Sequence, residues 1–222
     1  MDNLVSKNLS RPFPLQHAFW ARGGKRLLDF TLSLFVLIII WPLLFFIALA
    51  IKFSSSGPIF YRGLRTGLHG QPFRILKFRT MVPNAESLGG PTTGTGDSRV
   101  TPLGRFLRRA KLDELPQFIN VLMGDMSLVG PRPEVPEYTG LYQGDELLIL
   151  KMRPGITDYA SIEFADLDDR VGTEDPDAYF RRYILPRKNE LRVAYVKEWS
   201  LAGDFRIFWQ TVVRVLRRIR KK

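Results

Sequence analysis

An uncharged apolar run of 22 residues, from Phe30 to Ile51, constrains the fold of this chain more than any other feature. As a straight helix, at about 1.5 Å per residue, it would extend about 33 Å, enough to cross a hydrocarbon core of about 30 Å. The run therefore places the protein at a membrane. Basic residues flank it on both sides, namely Arg22, Lys25 and Arg26 before it and Lys52, Arg62 and Arg65 after it.

These flanks bear on the topology of the membrane segment. Positively charged flanks tend to stay cytoplasmic, and here neither flank lacks positive charge. Pro42 has no N–H and clashes with the carbonyl of Ile38, so it should kink the helix. The sequence favours a re-entrant hairpin, with arms Leu27–Ile40 and Leu43–Phe53 that enter and leave one leaflet. A kinked full span is one alternative, and a signal peptide cleaved at the Ala-Leu-Ala segment 48–50 is another.

The membrane segment divides the chain into three parts. Residues 1–24 are interpreted as a leader and residues 25–53 as the membrane hairpin. Residues 54–222 are numerous enough for one domain of ordinary size.

Cysteine and histidine usage excludes several kinds of chemistry. The 222-residue chain has no cysteine, which excludes a disulfide framework, a zinc–thiolate site and a cysteine nucleophile. With two histidines, a His-based metal cluster or a serine–histidine relay is disfavoured. Catalysis would therefore use carboxylates, Lys, Arg, Tyr or a hard metal ion.

The net charge of +11 and the pI near 10.1 indicate an anionic partner. Beside a membrane segment, the first candidates are anionic lipid headgroups and phosphorylated substrates, and nucleic acid is the competing one. The segment Asp204–Lys222 favours lipid, because it combines helically spaced apolar residues with dense arginines. The alternative is a helix packed on its own domain with a solvated basic tail. The apolar residues are Phe205, Phe208, Trp209, Val212, Leu216 and Ile219.

The domain is predicted to be α+β and mostly helical. Ile59–Arg62 and Phe73–Thr80 are candidate strands, and the Gly-Leu-His-Gly turn between them predicts a hairpin. The stretch Asn84–Thr101, rich in Gly, Ser and Thr, predicts a mobile loop. From Pro102 onward the pattern is mostly helical.

Two consecutive helices are predicted after the loop. Thr101 followed by Pro102 is typical of a helix start, and this helix should end near Ala110. A second helix should begin near Asp113 and stop at Gly124. It is expected to bury Leu115, Phe118, Ile119 and Leu122.

Asp113 and Glu114 would then lie at a helix N-terminus, where free N–H groups and the helix dipole favour carboxylates or phosphate. In a structural reading, Asp113 caps the helix and nearby arginines form ion pairs. In a catalytic reading, one carboxylate attacks phosphorus, arginines neutralise the phosphoryl oxygens, and the other carboxylate holds Mg²⁺. The preceding basic residues are Arg105, Arg108, Arg109 and Lys111.

Four segments, in order, resemble the motifs of the bacterial sugar transferase family, whose members are monotopic phosphoglycosyl transferases acting on a polyprenyl phosphate. The segments read FRILKFRTM at 73–81, LDELPQ at 112–117, GDMSLVGPRP at 124–133 and RPGIT at 153–157. The resemblance covers roughly Lys25 to Arg214.

The resemblance implies transfer of a sugar 1-phosphate from a UDP-sugar to undecaprenyl phosphate, with release of UMP. The aspartate of the matching pair is the family's nucleophile and forms a phosphosugar intermediate, a role that falls on Asp113. The adjacent carboxylate, Glu114, would bind Mg²⁺ together with Asp113. For the arginines outside the helices, a structural role at turns is the alternative. The implied phosphate contacts are Arg108, Arg132, Arg153 and Lys77.

The resemblance also implies a location at the bacterial inner membrane, with a helix broken at Pro42 and a cytoplasmic catalytic domain. Partners would be inner-membrane lipids and no nucleic acid, and a homodimer is left open. Larger relatives carry extra transmembrane helices and a preceding domain, so a minimal catalytic unit is expected. Two departures are Trp41, where a serine often precedes the proline, and Asp158 to Ser161 in place of Gly-Trp-Ala-Gln. The sequence therefore leaves the sugar open.

A non-enzymatic membrane scaffold or nucleic-acid tether is the alternative function. It would bind nucleic acid in a salt-dependent manner and be indifferent to changes at Asp113 or Glu114. The acidic stretch Glu163–Asp177 is interpreted as a solvated loop, with ordering around the nucleotide sugar as the alternative.

Overall fold

The computed structural model describes residues 23–90, 92–94, 96–165 and 175–220. Residues 1–22 of the predicted leader and 166–174 of the acidic stretch lie outside the described residues. The helices are α1 Lys25–Ser54, α2 Pro102–Arg109, α3 Gln117–Met123, α4 Pro136–Thr139, α5 Tyr159–Glu163, α6 Pro176–Tyr179, α7 Leu185–Glu198 and α8 Leu201–Arg220. A π-helical turn, Phe180–Ile184, joins α6 to α7. The strands are β1 Phe60–Thr66, β2 Pro72–Phe78, β3 Ser127–Val129 and β4 Gly155–Thr157.

Helix α1 contains the whole apolar run and is 30 residues long. By length and composition it could cross a membrane. The helix continues through Pro42, so the predicted arms Leu27–Ile40 and Leu43–Phe53 belong to one helix. The re-entrant hairpin stays a prediction. Proline costs a helix one hydrogen bond, while its fixed φ remains compatible with helical geometry.

Both halves of α1 contact the same domain. Near its start, Arg26 donates to the carbonyl of Leu122 over 2.8 Å. Asp29 accepts from the Ser127 hydroxyl over 2.7 Å. Near its end, Ile47 and Ile51 pack against Phe78 and Leu107. Large apolar side chains along the helix stay exposed, including Phe35, Ile38, Ile39, Trp41, Phe45 and Phe46.

The predicted hairpin is confirmed as the antiparallel pair β1–β2, which runs from the Phe60–Phe78 pair to the Thr66–Pro72 pair. Its first strand is longer than predicted. The turn closes because Gly67 donates to the carbonyl of Gln71 over 2.8 Å. The hairpin presents the side chain of Lys77 toward the helices that follow.

The two predicted helices after residue 101 are confirmed, with changes at the second. Thr101 caps α2 by accepting from the Gly104 N–H over 2.9 Å. The second segment begins as a 3₁₀ turn, Leu112–Glu114, and α3 starts only at Gln117. Gly124, at φ 97°, ends α3 as expected for a C-terminal glycine.

The expected buried face of α3 is wrong. The structure fully buries Gln117, Asn120 and Val121 instead. Asn120 explains why a polar face of α3 is buried in place of the apolar one. Its side chain accepts from the Leu76 N–H over 2.8 Å and donates to the Arg74 carbonyl over 2.9 Å. The polar face of α3 thus binds the backbone of β2. The residues expected there are only partly buried, namely Leu115, Phe118, Ile119 and Leu122.

A short parallel pair, β3–β4, was not predicted from the sequence. It brings the segment 127–133 beside the segment 153–157. At their closest approach, a Cβ added to Gly155 would lie 2.1 Å from the nitrogen of Gly130. The two glycines therefore let the two backbones touch.

Helix α8 buries Ile207 completely and contacts α5, β3 and β4. Its aromatic residues point outward, with Phe205 72% and Trp209 60% exposed. Packing on its own domain thus uses a different face from the predicted apolar one. On the expected face, Phe205 and Trp209 are exposed, whereas Phe208, Val212 and Leu216 line an open cleft of the domain.

We expect Gly155→Ala to destabilise the protein by about 2–3 kcal/mol, because the added methyl group overlaps the backbone of Gly130. Thermal unfolding of the detergent-solubilised protein measures this. Gly203→Ala is the control, since its methyl group meets only the flexible Ser200 hydroxyl, at 3.0 Å. An equal loss of stability in Gly155→Ala and Gly203→Ala would contradict the close approach of the Gly130 and Gly155 backbones.

Candidate active site

The two carboxylates predicted to be catalytic lie in the 3₁₀ turn between α2 and α3. The chain leaves α2 through Lys111, at φ 57°, and the turn closes when Leu115 donates to the Leu112 carbonyl over 3.3 Å. This turn forms part of the wall of an open cleft. Among the cleft residues are Lys77, Arg108, Asp113, Glu114 and Arg132.

Asp113 is 7% exposed, and that small fraction faces a cleft wide enough for a substrate. Its Oδ1 atom has no hydrogen-bond partner among the described residues. Neither the 3₁₀ turn nor α3 has a side-chain cap, so Asp113 does not cap the helix as the structural reading expected. Burial, and then the neighbouring charge of Glu114, raise the pKa of Asp113.

Glu114 is held by two cations from other parts of the chain. Lys77 of β2 donates to its Oε1 over 2.8 Å, and a guanidinium nitrogen of Arg132 binds the same oxygen. Burial alone would raise the pKa of Glu114, but Arg132 and Lys77 outweigh it and hold that pKa well below its usual range. Glu114 is thus a fixed anion. Burial lowers the pKa of Lys77, and Glu114 opposes that effect.

Arg108 lies on α2 and enters the cleft beside the carboxylates. Its Nε donates to the Thr80 hydroxyl over 2.8 Å and its Nη1 to the Thr93 hydroxyl over 3.1 Å. Both partners are neutral. The positive charge of Arg108 is therefore oriented without being neutralised by these bonds.

Arg132 lies two residues after Gly130, the glycine that packs against Gly155. Besides Glu114, its guanidinium binds the carbonyl of Ile156 in β4. The parallel pair β3–β4 thereby fixes the direction in which Arg132 points. Arg132 therefore has two roles. It binds the backbone of β4, as the structural alternative expected, and it also lines the cleft.

Arg153 is not in the site. It does not line the cleft, and its Nε donates to the Gly124 carbonyl at the end of α3 over 2.7 Å. The predicted phosphate contact is therefore not supported, and the structural alternative fits its bonds. Gly124 and the cleft carboxylates lie at opposite ends of α3, so this bond holds Arg153 away from them.

Sequence reasoning assigned no role to three polar residues near the carboxylates. Thr80 and Thr93 orient Arg108, and Thr80 stands in the same motif as Lys77. Gln117 is fully buried one turn after Asp113, and both of its amide atoms lack a partner among the described residues. The spacing of Gln117 from Asp113 was the available signal.

Asp113 and Glu114 offer carboxylate oxygens, the kind of ligand that Mg²⁺ prefers. No group of three or more metal-binding side chains occurs in the described parts of the chain. Mg²⁺ is often held by one or two carboxylates plus substrate phosphates, which the pair Asp113 and Glu114 can match. Both cation bonds go to Oε1 of Glu114, and Oδ1 of Asp113 is unpartnered. The residues therefore fit the ion.

Comparisons with known proteins agree with the motif resemblance. The UDP-glucose:undecaprenyl-phosphate glucose-1-phosphate transferase of Caulobacter vibrioides is 39% identical over 203 residues, covering 86% of this chain and 69% of that protein. The Escherichia coli protein of the same name is 40% identical over 194 residues, covering 86% of this chain and 39% of its own length.

A relative from Aeromonas hydrophila, UDP-N-acetylgalactosamine-undecaprenyl-phosphate N-acetylgalactosaminephosphotransferase, is 36% identical over 226 residues. The match covers 97% of this chain and 48% of that protein. The family model described as bacterial sugar transferase matches residues 20–218. The chain therefore belongs to the bacterial sugar transferase family.

Proposed function

We propose that the protein transfers a sugar 1-phosphate from a UDP-sugar to undecaprenyl phosphate and releases UMP. The observation that carries the proposal is the buried carboxylate of Asp113, whose Oδ1 has no hydrogen-bond partner among the described residues, beside a fixed anion and three cations in one cleft. The relatives from Caulobacter vibrioides and Escherichia coli, which are named as glucose-1-phosphate transferases, support the same reaction class. This chain spans less than half the length of the Escherichia coli and Aeromonas hydrophila relatives.

In the first step, an oxygen of Asp113 attacks the phosphorus that carries the sugar. The bond from that phosphorus to the bridging oxygen breaks, and UMP leaves with the electron pair. In the second step, a phosphate oxygen of the polyprenyl phosphate attacks the same phosphorus. The bond to Asp113 breaks, which regenerates the carboxylate and leaves a lipid diphosphate sugar.

The cations of the cleft would neutralise the charge that develops on the phosphoryl oxygens. Arg108 is the best placed, because its two hydrogen bonds are to neutral hydroxyl groups. Lys77 and Arg132 hold Glu114 and add positive charge beside it. Glu114, with Asp113, would hold Mg²⁺, which supplies further charge neutralisation at the diphosphate.

We also propose that α1 enters and leaves the cytoplasmic face of the inner membrane rather than crossing it. Asp29 and Ile51 both contact the domain 54–222 and are about 33 Å apart along a straight helix. A crossing would place these two contacts on opposite faces of the bilayer. The polar surface of the domain would then lie in hydrocarbon, which is strongly unfavourable. Bending near Pro42 avoids this.

The outward face of α8 supports membrane contact at the same surface. Phe205 and Trp209 are exposed on it, and Arg206 and Arg214 lie on the same helix. Aromatic side chains at the acyl boundary with arginines at phosphate depth are typical of interfacial helices. The partners are therefore inner-membrane lipids, in agreement with the net charge.

The reaction is tested by incubating purified full-length protein with undecaprenyl phosphate and a panel of UDP-sugars and measuring UMP. UMP release with at least one sugar, its dependence on the lipid, and its loss on chelation with EDTA are the expected results. The absence of release with every sugar, together with salt-dependent binding to nucleic acid, would favour the scaffold or tether instead.

Asp113→Asn is expected to reduce UMP release by at least about 10³-fold, because the amide cannot attack phosphorus. The folded protein should be as stable or more stable at pH 7. The pKa of Asp113 is raised on folding, so its charged form costs stability as the pH rises through that pKa. For the same reason, the wild-type rate should fall as acid protonates Asp113. Turnover and thermal unfolding measure these effects.

Asp145→Asn is the matched control for this variant. Asp145 is exposed, does not line the cleft, and pairs with Lys197 over 2.6 Å. We expect wild-type turnover and at most a small change in stability. Near-normal UMP release from Asp113→Asn would exclude the covalent route.

The membrane topology predicts which side of the bilayer the two ends of α1 occupy. Because the chain has no cysteine, Gly23→Cys and Ser56→Cys each introduce a single thiol. In inner-membrane vesicles of known orientation, both should react with an impermeant maleimide from the cytoplasmic side. Labelling from opposite sides would establish a full span.

A further inference from the structure

We propose that Asp158 and Arg192, which lie outside the cleft, are positioning residues that fix Arg132 against Glu114. The proposal deepens the proposed function and rests on it. Asp158 immediately precedes α5, and Arg192 lies in α7.

Asp158 connects the start of α5 to the backbone of the Arg132 loop. Its Oδ2 accepts from the backbone N–H of Arg132 over 2.9 Å. Its Oδ1 accepts from the backbone N–H and the hydroxyl of Ser161, each over 2.6 Å. The side chain is completely buried, so these bonds do not compete with water. Asp158 therefore sets where the main chain of Arg132 lies.

Arg192 of α7 connects Asp158 to the next part of the same loop. Its Nε lies 3.3 Å from Oδ2 of Asp158, and its Nη2 lies 2.8 Å from Oε1 of Glu134. Lys188 binds the same oxygen of Glu134 over 3.1 Å. The backbone carbonyl of Glu134 in turn accepts from the Thr66 N–H at the end of β1 over 3.0 Å. The loop is thus held at residue 132 and again at residue 134.

The side chain of Arg132 completes the connection to the site. One guanidinium nitrogen binds the Ile156 carbonyl and another binds Glu114. With the backbone fixed by Asp158, the guanidinium has little freedom to leave Glu114. A continuous series of contacts therefore runs from Arg192 through Asp158 and Arg132 to the carboxylate beside Asp113.

Fold stability alone is a poor explanation for this cluster. It consists of two carboxylates, Asp158 and Glu134, and two cations, Lys188 and Arg192. Asp158, Lys188 and Arg192 are buried, and the Glu134 side chain is 12% exposed. Desolvation cancels most of the attraction in such groups, and apolar residues of similar volume often stabilise a core as well. Directional bonds to the loop are what apolar side chains could not provide.

The test is a double-mutant cycle on kcat/KM for UMP release, using the full-length protein in detergent with undecaprenyl phosphate. Asp158→Asn alone should lower kcat/KM about 10–100-fold, because the loop that carries Arg132 loosens. In the Arg132→Ala background, the same change should lower it less than about twofold, since Arg132 is no longer there to be positioned. If the fold-losses of kcat/KM in the two single variants simply multiply in the double variant, the two residues act independently and the proposal is wrong.

Asp204→Asn is the matched control. Asp204 is also a buried carboxylate with several partners, namely Lys25 at 2.6 Å, Tyr195 at 2.7 Å and Trp199 at 3.2 Å. It does not line the cleft and has no bond to the Arg132 loop among those partners. Its effect on kcat/KM should be the same with and without Arg132.

Arg192→Lys covers the case in which Asp158→Asn does not fold. It keeps the positive charge but cannot bridge Asp158 and Glu134 with two nitrogens. A similar loss of kcat/KM at an unchanged thermal midpoint, again absent in the Arg132→Ala background, is expected. Full activity in Arg192→Lys would contradict the proposal. Absence of UMP release from the wild-type protein would instead contradict the proposed function.

Discussion

The candidate site depends on how the charge of Glu114 is balanced. A buried carboxylate without partners would take up a proton or draw in water. Lys77 and Arg132 converge on one of its oxygens and keep it ionised, which places a permanent negative charge beside Asp113. That charge and burial together raise the pKa of Asp113. Two adjacent carboxylates thereby acquire different properties, which is how proteins assign different roles to neighbouring acids.

Three segments far apart in sequence must meet for this balance to exist. Strand β2 carries Lys77, the 3₁₀ turn carries Glu114, and the loop after β3 carries Arg132. Asn120 joins the first two by binding the backbone of β2 on both sides of Ile75. The parallel pair β3–β4 joins the third through the carbonyl of Ile156. Lys77 and Arg132, the two cations that pair with Glu114, are therefore both held by secondary structure.

Sequence reasoning succeeded where a local signal decides the structure. The hairpin turn, the cap at Thr101 and the stop at Gly124 each act within a few residues. It missed the β3–β4 pair, because three-residue strands carry almost no pattern and their partners are distant. It also expected an apolar inner face on α3, whereas the neighbouring strand requires Asn120. The same limit applies to Arg153, whose partner at Gly124 is set by tertiary packing.

In the proposed membrane topology, the attachment of α1 links the site to the lipid surface. Arg26 binds the last carbonyls of α3, the helix that follows Glu114. Ile47 and Ile51 pack on Phe78, at the end of the strand that carries Lys77. Helix α3, which follows Glu114, and strand β2, which carries Lys77, are therefore both fixed to α1, one near each end. In the proposed reaction, a soluble donor and a lipid acceptor must reach the same phosphorus. The depth of that phosphorus relative to the headgroups is then set by these direct contacts.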